Sequence, residues 1–328
     1  MENFKILTLG ASGAGKTVFL ASMFKALSDL QESGFRLEIE DSQQRRLLNS
    51  TYNQILRGDT WPPGTIDVSE WTFTCKVQTE DLYRYNACQF TYFDYAGGRL
   101  TDLEQDPDFE RVVQRTDVAL GLLDGQKILA WLNDRDRQRV DIFLSTDLPI
   151  ILRRMHDLTV PVHFVISKWD LLDGKFTLSQ IREKLFTIPA FAQLVEIRGE
   201  ANCMVRIIPV SAIGLEFATA QPDGSMKRNP GASSKPFLVE APISCVLPDR
   251  LKQLHDELRI QRIQIAPGLL LDIIGWLFSR TTFGQTERNR ENARQSVQDE
   301  KSALKHAINV FYDFEQELLE KFPDSKLV

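Results

Sequence analysis

The first residues that could do chemistry are Gly10-Ala11-Ser12-Gly13-Ala14-Gly15-Lys16-Thr17. An apolar run, Phe4 to Leu9, precedes them, and a helical pattern, Val18 to Leu30, follows. The spacing fits G-x-x-x-x-G-K-[ST], a turn that cradles phosphate. Glycines let backbone N–H groups converge on phosphate oxygens, and the helix behind them adds its positive N-terminus. Ser12, Gly13, Ala14, Gly15 and Val18 would line that cradle. Lys16 would reach the outer phosphates and Thr17 would hold a magnesium ion.

Three more polar or glycine-rich stretches follow apolar runs. Asp94-Tyr95-Ala96-Gly97-Gly98 follows Phe93, Ser167-Lys168-Trp169-Asp170 follows Ile166, and Ser211-Ala212 follows Val210. In open α/β sheets the C-terminal ends of the strands are where ligands bind. The order of the loops therefore predicts that they share one edge.

The elements that must position them are legible in outline. Phe4–Leu9, Val118–Leu123, Val160–Ser167 and Val205–Val210 read as buried strands. Trp71, Phe73, Cys75 and Val77 alternate with polar residues, and Tyr85–Phe93 alternates too, which predicts a hairpin. Phe35–Glu40 reads as a short strand and Ser42–Arg57 as a helix. A long helical region runs from Asp124-Gly125 to Leu158, with a break expected at Pro149. Thr177-x-x-Gln180 is a capping box. Gln221–Pro236 reads as an aperiodic loop, and Pro248–Gln264 as a helix. Strands alternating with helices predict a three-layer α/β fold with a mostly parallel sheet and one antiparallel edge strand. Two parts are expected, residues 1–264 and a helical C-terminal extension, 265–328, closed by the stripe Leu304, Ile308, Phe311, Phe314, Leu318 and Phe322.

Composition narrows the class. A formal charge of −6 on 328 residues argues against nucleic acid as a partner. Cys75, Cys88, Cys203 and Cys245 are scattered, which argues against zinc and for a reducing compartment. No stretch reaches the roughly 20 apolar residues of a spanning helix. The first strand begins at once, leaving no room for a signal peptide, so a cytoplasmic location is expected.

Taken together, the loops resemble those of the TRAFAC class of P-loop GTPases, which includes Ras-like small GTPases and translation-factor G domains. The resemblance covers about residues 3 to 264 and rests on Gly10–Thr17, Asp94-x-x-Gly97, Ser167–Asp170 and Ser211-Ala212. It implies GTP or GDP and Mg2+ as cofactors. Lys16 would act on the transferred phosphoryl group, and Thr17, Asp94 and a switch threonine would hold the metal. Thr60 and Thr65 are the threonine candidates, with Thr65 favoured by its place after Pro62-Pro63-Gly64. Gly97 would sense the γ-phosphate. Asp170 would accept two hydrogen bonds from guanine, Lys168 would cover the base, and Ser211 and Ala212 would offer backbone contacts near its 6-oxygen. Trp61–Thr65 looks like poorly characterised bacterial GTPases, including double-GTPase-type proteins of conflict-linked operons.

Departures from the Ras-like pattern bear on hydrolysis. Gly98 stands where Gln positions water, Ser12 stands where Gly leaves room for an arginine finger, and Ser167 replaces Asn or Thr. Arg99 is a candidate internal finger or a plain loop arginine. A slow GTP-hydrolysing switch is expected, with a pseudo-GTPase scaffold and a P-loop ATPase as alternatives. A protein effector or oligomer partner would engage the switch loops or the C-terminal helices. A membrane-surface contact at Leu269–Phe278 is disfavoured by the mixed charges after it.

Overall fold

The computed structural model describes residues 2–28, 34–57, 61–62, 69–77, 85–94, 107–221, 226–260 and 290–328. In chain order, the first half contains β1 (Asn3–Gly10), α1 (Lys16–Ala26), β2 (Phe35–Glu38), α2 (Ser42–Arg57), β3 (Ser69–Val77), β4 (Tyr85–Asp94) and α3 (Pro107–Val113). Then come β5 (Val118–Asp124), α4 (Gly125–Leu132), α5 (Arg137–Ile142), α6 (Leu148–His156), β6 (Val162–Ser167), α7 (Leu178–Phe186), α8 (Pro189–Glu200) and β7 (Val205–Pro209). A small hairpin, β8 (Ala218–Ala220) and β9 (Met226–Arg228), precedes α9 (Ala241–Ser244), α10 (Val246–Ile260) and α11 (Arg290–Lys321).

Among the described residues the main sheet has seven strands in the order β2-β3-β4-β1-β5-β6-β7. β1 lies between β4 and β5 and is parallel to both. β3 is antiparallel to β4 and to β2, and the strands from β4 to β7 are parallel. The reversed strand is thus one place in from the rim, because Phe35–Glu38 pairs outside it.

Alternation divides the core in two. Phe4 and Ile6 of β1 and Leu120 and Leu122 of β5 face one apolar cluster, with α1, α10 and α11. Leu7 and Leu9 of β1 and Ala119 and Leu123 of β5 face the other, with α6, α7 and α8. A period of two on strands covered on both faces gives three layers. The C-terminal stripe docks on the first face: Phe311 meets Phe35 edge-on at 4.6 Å and Phe90 at 6.1 Å. One buried ionic cluster joins this helix to the sheet. Arg206 Nε and Nη2 donate to Asp249 at 2.6 and 2.5 Å, Nη2 also donates to Glu315, and His163 Nε2 lies 2.7 Å from Asp249.

Several local expectations are corrected. The first helix ends at Ala26, not Leu30, because the Leu27 carbonyl accepts the Leu37 N–H of β2 at 2.7 Å. The long helical region breaks at Asn133–Asp136, where Asp134 and Asp136 have positive φ and Asp136 caps α5. Near Pro149 the α-helix is interrupted a second time, by a wider turn at Phe143–Asp147, and Pro149 lies in the first turn of α6 that follows it. The stretch Gln221–Pro236 contains β9, too short to show periodicity. The Thr177 capping box is formed as expected. No helix among the described residues is long and apolar enough to cross a membrane.

Candidate functional site

The glycine-rich loop leaves the centre of the sheet, at the C-terminal end of β1. Gly13 and Gly15 sit at φ +81° and +85°, and open space surrounds the place a Cβ would take. That left-handed backbone is what lets consecutive N–H groups turn inward. Gly15 is the N-cap of α1 and has no side chain to cap it. The first N–H groups of α1 therefore have no side-chain acceptor at the cap, and they carry the positive end of the helix dipole. Ser12 is exposed, Ala14 is buried, and Thr17 and Val18 are half-buried on the first turn.

Lys16 is 6% exposed. Its Nζ donates to the carbonyls of Gly10 at 2.7 Å and Ala11 at 3.4 Å, curled along the loop. Burial lowers its pKa, partly offset by the charge of Asp94. Asp94 ends β4 in register with Thr8 of β1 and is itself buried. Burial, with the Asp94 carboxylate nearby, pushes the Tyr92 phenol well above its ordinary range. Thr17 and Asp94 are a hydroxyl and a carboxylate, an oxygen set that suits a magnesium ion keeping several waters. Among the described residues no group of three or more His, Cys, Asp or Glu stands together as a metal site.

Ser167–Asp170 leaves the end of β6, two strands away. Ser167 Oγ donates to the Leu123 carbonyl at 3.1 Å, so its tether runs to β5 and not to the glycine-rich loop. Lys168 has φ +53°, and its Nζ donates to Asp124 at 2.9 Å. The other Asp124 oxygen caps α4 through the Gln126 N–H at 2.9 Å. Trp169 N–H donates to the Val210 carbonyl at 3.0 Å, stitching this loop to the one after β7.

Asp170 and Ser211, 41 positions apart, meet directly: Ser211 Oγ donates to Asp170 Oδ1 at 2.6 Å. The other oxygen, Oδ2, is buried and has no hydrogen-bond partner among the described residues. Burial raises the Asp170 pKa, countered by the Ser211 hydrogen bond and by Lys168 and Lys175. A buried acceptor without a donor is costly unless a ligand or water supplies one. Ser211 also accepts from Gly214 N–H at 3.0 Å. Its own N–H donates to the Phe237 carbonyl at 3.0 Å. Ser211 thus gives its hydroxyl to Asp170 and its backbone to Phe237. Ala212 is half-buried beside it.

No protein-family model matches this chain, and no curated protein matches it.

The structure therefore brings Lys16, Asp94, Lys168, Asp170 and Ser211 to the C-terminal edge of one sheet. Thr60, Thr65, Gly97, Gly98 and Arg99 lie outside the described residues. Two residues enter the site that sequence reasoning had not assigned to it. Asp124 holds Lys168, and its signal was an acid ending a strand on the same edge. Trp169 lies inside the motif, between Lys168 and Asp170, and is 2% exposed.

Proposed function

We propose that this chain is a P-loop GTPase of the TRAFAC kind, a GTP-binding switch that hydrolyses GTP slowly with Mg2+. The observation that carries the reading is Asp170, fixed through one oxygen by Ser211 with the other buried and without a hydrogen-bond partner, on the same sheet edge as the glycine-rich loop. Guanine presents two adjacent donors, N1–H and the 2-amino group, whereas adenine has neither. A carboxylate in that position selects guanine.

The chain's own groups suit the chemistry that follows. Lys16 and the amides of Ser12 to Val18 would neutralise charge on the γ-phosphoryl group as water attacks in line. Thr17 and Asp94 would hold the metal, together with Thr65, and magnesium would supply positive charge against the developing charge of the phosphoryl group. Gly97 would report the γ-phosphate to its loop, and Arg99 is the nearest cation in sequence to the missing Gln. Gly98 and Ser12 make the reaction slow without a partner.

Competition for labelled GDP by GTP and ATP, followed by multiple-turnover phosphate release, tests this. GTP should compete and ATP should not, and release should exceed that of a Lys16→Ala control. Binding without release above that control would make the chain a nucleotide-held scaffold. Equal competition by ATP, unchanged in Asp170→Asn, would overturn the guanine reading and favour an ATPase.

A further inference from the structure

The last helix ends on the base-reading loops. Phe322 follows α11, its N–H donating to Leu318 at 2.8 Å. Its ring meets Trp169 edge-on at 5.7 Å and 89°. The same ring meets Phe237 edge-on at 6.2 Å and 79°. Trp169 lies between Lys168 and Asp170. Phe237 pairs with Ser211 through two backbone hydrogen bonds, at 2.8 and 3.0 Å. One side chain thus braces both loops from outside the motifs. The tail beyond is pinned as well: Asp324 pairs with Arg182 of α7, and Leu327 N–H donates to Val205 at 2.9 Å.

The junction opens to solvent on one side. A cavity of about 450 Å³ lies between the loop after β6 and the end of α11, lined among others by Trp169, Phe176, Lys321 and Phe322. Phe322 is half-buried and packs against both core clusters from their edge. Two to three turns earlier, Phe311 and Phe314 pack on Phe35 and Phe90, the latter on β4, the strand that ends in Asp94. α11 and the residue that follows it therefore touch elements of both halves of the site.

We propose that Phe322 is a positioning residue for base recognition: by bracing Trp169 and Phe237 it holds Asp170 and Ser211 in register. Docking of the end of α11 and occupancy of the base site are then coupled, and coupling is reciprocal. The assignment to a base rests on the guanine reading above; the bracing itself does not.

The test compares Phe322→Ala with Phe314→Ala, a half-buried phenylalanine on α11 whose ring meets Phe35. Without nucleotide, hydrogen exchange at residues 167–173 and 211–214 should quicken in Phe322→Ala and stay native in Phe314→Ala. With nucleotide, GDP should bind Phe322→Ala about tenfold more weakly, the scale of two lost aromatic pairs. The preference for GDP over inosine diphosphate, which lacks the 2-amino group, should shrink. Phe322→Tyr, which keeps the ring and has the cavity for its hydroxyl, should restore both. Unchanged exchange at the two loops, equal effects in the two alanine variants, or weaker GDP binding with undiminished preference would each overturn the proposal. If the native protein binds neither nucleotide, the guanine reading falls, and the exchange data alone decide whether Phe322 braces the loops.

Discussion

Ser211 Oγ donates to Asp170 Oδ1 at 2.6 Å, and the second Asp170 oxygen is left buried without a hydrogen-bond partner. One hydroxyl thereby leaves Oδ2 as the Asp170 oxygen still lacking a donor. Ser211→Ala should weaken GDP binding about ten- to a hundredfold, in line with the roughly 1.5–3 kcal/mol of a hydrogen bond to a charged group. Asp170→Asn should lose guanine preference and gain affinity for xanthine nucleotides, whose 2-oxygen accepts from an amide N–H. Calorimetric titration with GDP, inosine diphosphate and xanthosine diphosphate separates the two outcomes.

GDP binding should also depend on pH through Asp170. Its pKa in the free protein is raised by burial, and only the carboxylate can accept from both guanine donors. Affinity should be full above that raised value and fall as pH drops through it, in a range higher than an ordinary carboxylate gives. Ser211→Ala removes a bond that lowers the pKa, so its decline should begin at higher pH. Asp170→Asn should show no such limb. Affinity measured across the acid range, with GDP ionisation matched in each buffer, checks the ordering.

Asp124 serves two elements at once, pairing with Lys168 at 2.9 Å and capping α4 at 2.9 Å. Asp124→Ala should lose about 1–2 kcal/mol of stability, the usual cost of an N-cap, and free Lys168 from its place. Asp124→Asn keeps a cap and loses the ion pair, so it should recover most of the stability but not the GDP affinity. Denaturant unfolding set beside GDP titration would show that split.

A methyl group added at Gly125 would lie 2.3 Å from the Ser167 carbonyl oxygen, a backbone atom with little freedom to yield. Gly125→Ala should therefore push the ends of β5 and β6 apart and disturb Lys168 and Asp170 together. GDP binding should fall by well over the Ser211→Ala effect, while far-ultraviolet circular dichroism stays native in shape. Native affinity in Gly125→Ala would show that the two strand ends can separate without cost.

Asp249 gives a stability prediction independent of nucleotide. Burial raises its pKa, but hydrogen bonds from Arg206 prevail and hold it below the usual carboxylate range. Because the folded pKa is depressed, its contribution is present above the unfolded value of about 4 and is lost as pH falls through the folded one. Arg206→Met should cost about 3–5 kcal/mol near neutrality, since it leaves two buried carboxylates without their cation. The variant should also regain stability as pH falls toward 5, the reverse of the native trend. Thermal unfolding midpoints of both proteins from pH 3 to 8 test the sign.

What the sequence determined by itself was local. A turn with glycines at fixed spacing, strands of period two or unbroken apolarity, and a Thr177–Gln180 capping box each act within a few residues, where backbone sterics decide. The order of the loops also announced one shared edge, because parallel strands put all their C-terminal ends on the same side. Only tertiary structure decided how the groups are used. Ser167 bonds to Leu123, Lys168 to Asp124 and Ser211 to Asp170, each across at least 41 positions, so no periodicity could reveal them. The same holds for Phe322, which the helical stripe assigned to packing and which meets Trp169 153 positions earlier. Side-chain hydrogen bonds and ring contacts depend on which strands become neighbours. That is settled by the burial of two apolar faces at once, a property of the whole sheet rather than of any segment in it.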